Sequence, residues 1–316
     1  MTTTTTTTAA DGVLKAAGAT RPAAAPRPTA RILRRRAVPY LFILPALVLF
    51  AVFKLYPIGS SFLMSLYENV NGTQEFVGAG NYTRAMDDPL LWTALKNTVI
   101  ILVVQVPVML ALAVGIAVAL NSTLLRGRAF FRLGFFLPTV TGLVAYGIVF
   151  AVLLNTRYGL VNWLLGLVGV GEVPWLTDPL WARISLGLAL TWHYTGYNAV
   201  IFLARLQSLP TELYDAAAVD GACARQSFRH VTLPGLRPAL LLTTVLSTIG
   251  TLQLFDEPYV LTGGGPDNAT LTIGVYLYQN AFKYFDFGYA SAVAYILTVL
   301  IGILGIAQFR LLGEKS

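Results

Sequence analysis

Cysteine occurs once, at Cys223, and histidine twice, at His193 and His230. A lone thiol excludes an internal disulfide framework, and two well-separated imidazoles beside one thiol do not assemble a structural zinc site. Charge is equally scarce: Asp, Glu, Lys and Arg make up 12% of the 316 residues, against 56% hydrophobic residues. That balance excludes an ordinary soluble domain and puts the chain in a bilayer, with lipid as a partner. No G-x-x-x-x-G-K-[ST] phosphate loop occurs, and the triplet Gly263-Gly264-Gly265 lacks the Lys and Ser/Thr that would make it one. The chain therefore has no sequence element for cradling ATP. No nucleophile, base and metal constellation is present either, so neither an enzyme nor a bound cofactor is expected. The formal net charge of +7 would point to nucleic acid in a soluble protein. In a membrane chain it reads loop by loop as a topology signal, and nucleic acid drops out.

What is present is a series of long apolar runs. Pro39 to Tyr56, Thr98 to Leu120, Leu133 to Leu154, Ala182 to Leu203, Pro238 to Leu261 and Ala290 to Phe309 are each near the roughly 20 residues that cross a bilayer as helix. The predicted fold is all-α and polytopic, with six transmembrane helices in a domain covering residues 37–316. Residues 1–36 run from a Thr tract through Ala and Pro to Arg31, Arg34, Arg35 and Arg36, and read as a disordered basic tail. Pro107 is expected to kink the second span. Glu68 to Lys96 reads as a polar loop, and Tyr158 to Pro179 as another, with a short amphipathic helix and interfacial Trp163 and Trp175. Sorted by side, the basic tail, Arg126 to Arg132, Arg225, Arg229, Arg237 and the C-terminus fall together. The positive-inside rule then makes both termini cytoplasmic.

Between the fourth and fifth spans lies a polar, Ala-rich loop, 209–238, reading LPTELYDAAAVDGACARQSFRHVTLPGLRP. Pro210 suits a first helical turn, Thr211 can cap it, and Glu212 with Asp215 place negative charge where the helix dipole favours it. Ala216, Ala217 and Ala218 offer a small surface, and Asp220-Gly221 supplies a residue free to take positive φ. A second helical piece, Ala224 to Val231, is expected to end at Leu233-Pro234.

This pattern resembles the EAA signature of bacterial ATP-binding-cassette importer permeases, in the form carried by the sugar-transport branch. Tyr214-Asp215-Ala216-Ala217, Asp220-Gly221-Ala222 and Leu233-Pro234 carry the match, with Asp215 where the family usually has Glu. Weaker echoes are Phe76-Val77-Gly78, Asn81-Tyr82, Asn97-Thr98, the Gly263 to Pro266 turn, and the entrance to the last span. Arg205 stands where sugar permeases more often carry a small residue. The resemblance implies a type I importer permease in the bacterial plasma membrane, forming half of a pore with a second permease subunit. It implies that Glu212, Asp215, Ala216, Ala217, Asp220, Gly221, Leu233 and Pro234 couple the chain to an ATP-binding subunit dimer. It further implies that an extracytoplasmic solute-binding protein delivers a carbohydrate.

Polar residues inside spans are costly and mark pathways or helix contacts. Trp192, Tyr197, Asn198, Gln253 and Asp256 form the candidate substrate pathway, since aromatic faces stack on sugars while amides and carboxylates bond hydroxyls. His193 is read as hydrogen-bonded between helices, and Asp256 with Glu257 as near the outer interface. The alternative reading is an ion-coupled secondary transporter, which would share buried polar groups but has no use for the loop.

Overall fold

Residues 30–70, 72–122 and 125–312 are described by the computed structural model. Most of the expected basic tail lies outside them. Helix α1, Ala30–Phe50, begins ahead of the boundary expected after residue 36; Arg is a good helix former, and the apolar run carries its helix back over the basic residues. The chain divides into two units, Met1–Pro57 and Ile58–Ser316. Among the described residues the first holds α1, a π-helical turn, Ala51–Leu55, and the start of α2, Tyr56–Met64. The Tyr56 N–H donates to the Ala51 carbonyl, five residues back, and Pro57 follows. A proline has no N–H for the carbonyl four residues back, so a widened turn just ahead of it relieves the clash.

In the second unit a hairpin, β1 Tyr67–Val70 and β2 Thr73–Phe76, replaces part of the expected loop, with Gly72 at φ +86°. Helix α3, Gly80–Asp87, follows. Asn81 is buried and its amide donates to the Ser65 and Tyr67 carbonyls, each at 2.9 Å. Helix α4, Pro89–Asn121, starts inside the expected loop because Asp88 Oδ1 accepts from the Leu90 and Leu91 N–H groups, with proline in the first turn. It continues through Pro107.

The third expected span is two helices, α5 Arg128–Val140 and α6 Leu143–Leu153, bent by 100° at the break. Helix α7, Leu160–Leu167, is the short helix expected in the next loop. Helix α8, Pro179–Gln207, repeats the Asp-Pro start, with Asp178 as its cap. Its 29 residues span about 43 Å at the helical rise. The loop beyond folds as α9 Glu212–Val219, α10 Ala224–Ser227, a π-helical turn Phe228–Thr232 and α11 Leu233–Gly235. Leu233-Pro234 therefore does not end the second helical piece as expected. The π turn before Pro234 makes the same accommodation as the one before Pro57.

Helix α12, Arg237–Leu252, leaves at 62° to the preceding piece. The fifth span is not continuous to Leu261, for a break at 253–255 separates α12 from α13, Asp256–Thr262. Then come α14 Ile273–Tyr278, a π-helical turn Gln279–Lys283, and α15 Phe287–Leu312. Tyr40–Met64, Pro89–Asn121 and Phe287–Leu311 are long and apolar enough to cross a membrane, and the two bent pairs are further candidate spans. Helix α8 is less apolar because its middle concentrates polar and aromatic groups.

Helices α4 and α8 form the spine. Val106, Met109, Leu110, Ala113, Val114, Ala117 and Leu120 pack on Ala199, Phe202, Leu203 and Leu206, a 3.6-residue stripe meeting another. The opposite side of α4 exposes Val103, Val104, Val108 and Leu112; a helix apolar on both sides suits lipid on one and protein on the other. Where lipid is as apolar as leucine, close packing supplies the stability, and small residues permit it. Ala113, Ala117 and Ala199 serve so here, as does Gly196, where a Cβ would stand 1.7 Å from the Phe135 carbonyl oxygen.

Candidate functional site

A cavity of about 280 Å³ lies among α4, α8 and α12. Gln105 and Met109 come from α4, Tyr194, Tyr197 and Asn198 from α8, and Ser247 and Thr251 from α12, with Thr139 from α5. The Gln105 side chain is buried, and its Nε2 finds no hydrogen-bond partner among the described residues. A buried amide donor left so costs on the order of 1–3 kcal/mol. Asn198 is also buried, its Nδ2 donating to the Tyr194 carbonyl at 3.0 Å and approaching Met109 Sδ at 3.7 Å.

The five predicted pathway residues are not brought together. Tyr197 and Asn198 line this cavity. Trp192 points elsewhere, its ring 5.3 Å from Phe150 and 6.1 Å from Tyr146, in the wall of a separate space among Phe130, Phe131 and Phe135. Gln253 is exposed past the end of α12, and Asp256 is half-buried in the first turn of α13. Sequence reasoning gave no pathway role to Gln105, Thr139, Ser247 or Thr251. Gln105 had a signal, as the one amide inside the second apolar run.

Glu257, read from the sequence as near the outer interface, is turned into the protein. It is 1% exposed, and its Oε1 accepts from the Tyr146 hydroxyl at 2.7 Å and the Tyr194 hydroxyl at 3.1 Å. A carboxyl buried with two hydroxyl donors ties α6, α8 and α13 together. His193 stacks on Tyr146, with centroids 4.4 Å apart. Its Nδ1 has no hydrogen-bond partner among the described residues, contrary to the expected bond between helices.

The Ala-rich loop is a second, separate site. Helix α9 carries Glu212 and Asp215 in its first turn, and Thr211 makes no side-chain cap bond. Its end is a Schellman motif: the Gly221 N–H donates to the Ala218 carbonyl, and the Ala222 N–H to Ala217. Gly221 has φ +76°, the left-handed conformation anticipated at Asp220-Gly221. Glu212, Asp215, Ala216, Asp220, Gly221, Leu233 and Pro234 are exposed, and Ala217 is half-buried. Leu213 and Val219 add exposed apolar surface. The underside is held by Tyr214, whose hydroxyl lies 3.2 Å from Thr232 Oγ1. Arg205 Nε donates to the Gly235 carbonyl at 2.9 Å, which fastens the end of α8 to the far end of the loop.

The family model described as "binding-protein-dependent transport system inner membrane component" matches residues 111–315. The chain is 43% identical to a lactose transport system permease protein of Rhizobium radiobacter, over 88% of this chain and 94% of that one. It is 36% identical to an arabinooligosaccharides transport system permease protein of Bacillus subtilis, covering 89% and 90%. A trehalose/maltose transport system permease protein of Thermococcus litoralis is likewise 36% identical, over 83% and 89%. In fold, the chain matches a bacterial ABC transporter involved in import of the acidic polysaccharide alginate, with a TM-score of 0.81, 21% identity, and 90% and 98% coverage.

Proposed function

The chain belongs to the family of binding-protein-dependent transport system inner membrane components and is a multi-pass permease of an ATP-binding-cassette importer, and on that premise we propose that its cargo is a neutral sugar or short oligosaccharide. The observation that carries the proposal is the lining of the central cavity. Two tyrosine rings and the side chains of Met109, Leu190, Leu246 and Leu254 stand among amide and hydroxyl groups, and no carboxylate, ammonium or guanidinium lines it. Such a wall offers faces for sugar C–H surfaces and partners for hydroxyls, and no charged group to pair with an ion. The names of the three sugar permeases above support the same class. Tyr197 and Asn198 act here, joined by Gln105, Ser247 and Thr251.

The exposed face of α9, with Glu212, Asp215, Ala216, Ala217, Asp220 and Gly221, docks onto the ATP-binding subunit, and Leu233-Pro234 positions the return of the loop. Its small side chains and tight end permit close approach. The distribution of basic residues over the loops supports a cytoplasmic position for this face and both termini, with residues 37–316 acting as one permease domain. This chain performs no catalysis; ATP is bound and hydrolysed by the separate subunit, while a second permease completes the pore and a binding protein delivers the sugar. The test is uptake by the complete importer in proteoliposomes, with ATP on the α9 side and binding protein on the other. Lactose, maltose, trehalose and arabinooligosaccharides are compared with amino acids. ATP-dependent uptake of a sugar is expected; uptake driven by a proton or sodium gradient without ATP refutes the reading.

A further inference from the structure

Beyond the central cavity, six aromatic rings form an unbroken chain: Tyr259, Phe255, Tyr278, Phe282, Phe287 and Phe285, with successive centroids 4.9 to 6.3 Å apart. Tyr259 also touches Tyr278, at 5.0 Å, and it is Phe255 that stands next to the central cavity. Phe255 follows Leu254, which lines that cavity, and Thr272 Oγ1 fixes the junction by donating to the Leu254 carbonyl at 2.7 Å. Phe255, Tyr278, Phe282 and Phe287 line one side of an open groove of about 350 Å³. The facing wall is small and partly hydroxylic, including Ser61 and Ser291.

The outer end is Phe285, 66% exposed, with φ +58°. It sits in the turn closed by the Tyr284 N–H on the Gln279 carbonyl and the Asp286 N–H on the Asn280 carbonyl, each at 2.9 Å. Glycine is the residue that local geometry favours at such a position, and a bulky side chain there is an outlier. An exposed ring kept against backbone preference does not serve core packing. Its neighbours Phe282 and Phe287 are exposed too, at 62% and 41%, so the chain of rings ends at the surface of this subunit.

We propose that these rings form a carbohydrate-stacking track that captures neutral sugar outside the central cavity and hands it inward. A sugar presents an apolar C–H face to a ring while its hydroxyls reach water or serine. The rings touch in sequence, so a ligand leaving one meets the next. Rings in this number beside hydroxyls, with no charged group in the groove wall, suit that ligand and not an ion. The inference rests on the sugar reading above.

The test measures equilibrium binding of radiolabelled lactose and maltose to the assembled importer in nanodiscs, without binding protein, alongside thermal stability. Phe282→Ala and Phe285→Gly are each expected to weaken sugar binding roughly 3- to 10-fold, the scale of one aromatic contact. Phe285→Gly keeps or raises thermal stability, and Phe282→Trp restores binding. Unchanged affinity in the Phe282→Ala/Phe285→Gly double variant overturns the track. Lost membrane insertion or stability with unchanged affinity makes the rings lipid anchors, and also overturns it. The sugar reading is checked separately by ATP-driven uptake in the unsubstituted importer: uptake with unaltered binding in the variants removes the track alone, whereas no uptake of any sugar removes both.

Discussion

Replacing Arg205 with alanine separates the attachment of the Ala-rich loop from the face proposed to dock. The guanidinium donates through Nε to the Gly235 carbonyl at 2.9 Å and through Nη1 to Ser208 Oγ at 3.3 Å. A hydrogen bond from a charged group contributes roughly 1.5–3 kcal/mol, and a half-buried one belongs at the lower end. A loss of about 1.5 kcal/mol shifts the balance between fastened and released loop by close to tenfold. Gly235→Ala loosens the same junction without removing charge: its Cβ would lie 2.8 and 2.9 Å from the Leu209 methyl carbons, so the leucine has to move aside.

Both substitutions leave Asp215, Ala216 and Gly221 intact, so capture of the ATP-binding subunit is expected to persist. The assay is ATP hydrolysis and sugar uptake measured on the same proteoliposomes. Hydrolysis continues while sugar moved per ATP falls, by up to about tenfold for Arg205→Ala and less for Gly235→Ala. Arg205→Lys recovers part of the ratio, because an ammonium can reach the carbonyl but not hold both contacts in one plane. An unchanged ratio in both alanine variants refutes the reasoning. So does loss of the ATP-binding subunit from the Arg205→Ala complex, which would make the arginine an assembly residue.

On the docking face, Gly221→Pro is expected to abolish uptake and co-purification of the ATP-binding subunit while the chain still inserts, because proline cannot take φ +76°. Asp215→Lys weakens both less severely and Asp215→Glu is tolerated; normal behaviour of Gly221→Pro and Asp215→Lys together sinks the docking assignment. In the buried cluster, Glu257→Ala strands two tyrosine hydroxyls and lowers thermal stability by on the order of 1–3 kcal/mol, while Glu257→Gln keeps an acceptor and costs less. Equal melting temperatures for the two variants would show that the bonds contribute nothing. At the start of α4, burial pushes the Asp88 carboxyl up, but the hydroxyls of Tyr276 and Tyr289 and the N–H groups of Leu90 and Leu91 outweigh it and hold it below the ordinary carboxylate range. Its stabilising contribution is therefore present above about pH 3.9 and lost as pH falls through the lower folded value. Asp88→Asn should flatten that acid arm of the melting curve, and a curve that keeps its slope counts against the network.

The spans were legible because an apolar run of sufficient length has few other readings, and the turn at Gly221 because Asp-Gly after an alanine helix has a single economical geometry. Local signals were also present where loops were expected. Asp88-Pro89 is a helix start, and Asn71-Gly72 between strand-forming residues is a hairpin signature. What the sequence did not display was direction. Trp192 and Tyr197 are five residues apart, about 140° around a helix, so a cluster dense along the chain divides between two faces. Ser247 and Thr251 look like the small hydroxyls that let any membrane helices pack, and only the approach of α4 makes them cavity wall. Glu257 lies beside Asp256 in an acidic pair that suits a helix N-terminus at an interface. The break after α12 turns one member inward, onto tyrosines more than 60 residues away in sequence.

The cavity and the Ala-rich loop are adjacent in the chain, and this fixes how one can act on the other. The loop is the segment between α8 and α12, the two helices that contribute Tyr197 and Asn198 on one side of the cavity and Ser247 and Thr251 on the other. Asn198 and Arg205 are seven residues apart on unbroken α8, two turns along a single stripe and about 10 Å in rise. The route into α12 is different, because the chain bends by 62° between α11 and α12. A displacement of α9 therefore reaches one cavity wall along a continuous helix and the other through a bend, so the two walls need not move together. Relative movement of those walls is what opening and closing a cavity requires. Arg205 bridges the two routes at the loop, which makes it, and not a residue of the docking face, the position where transmission can be weakened while assembly survives.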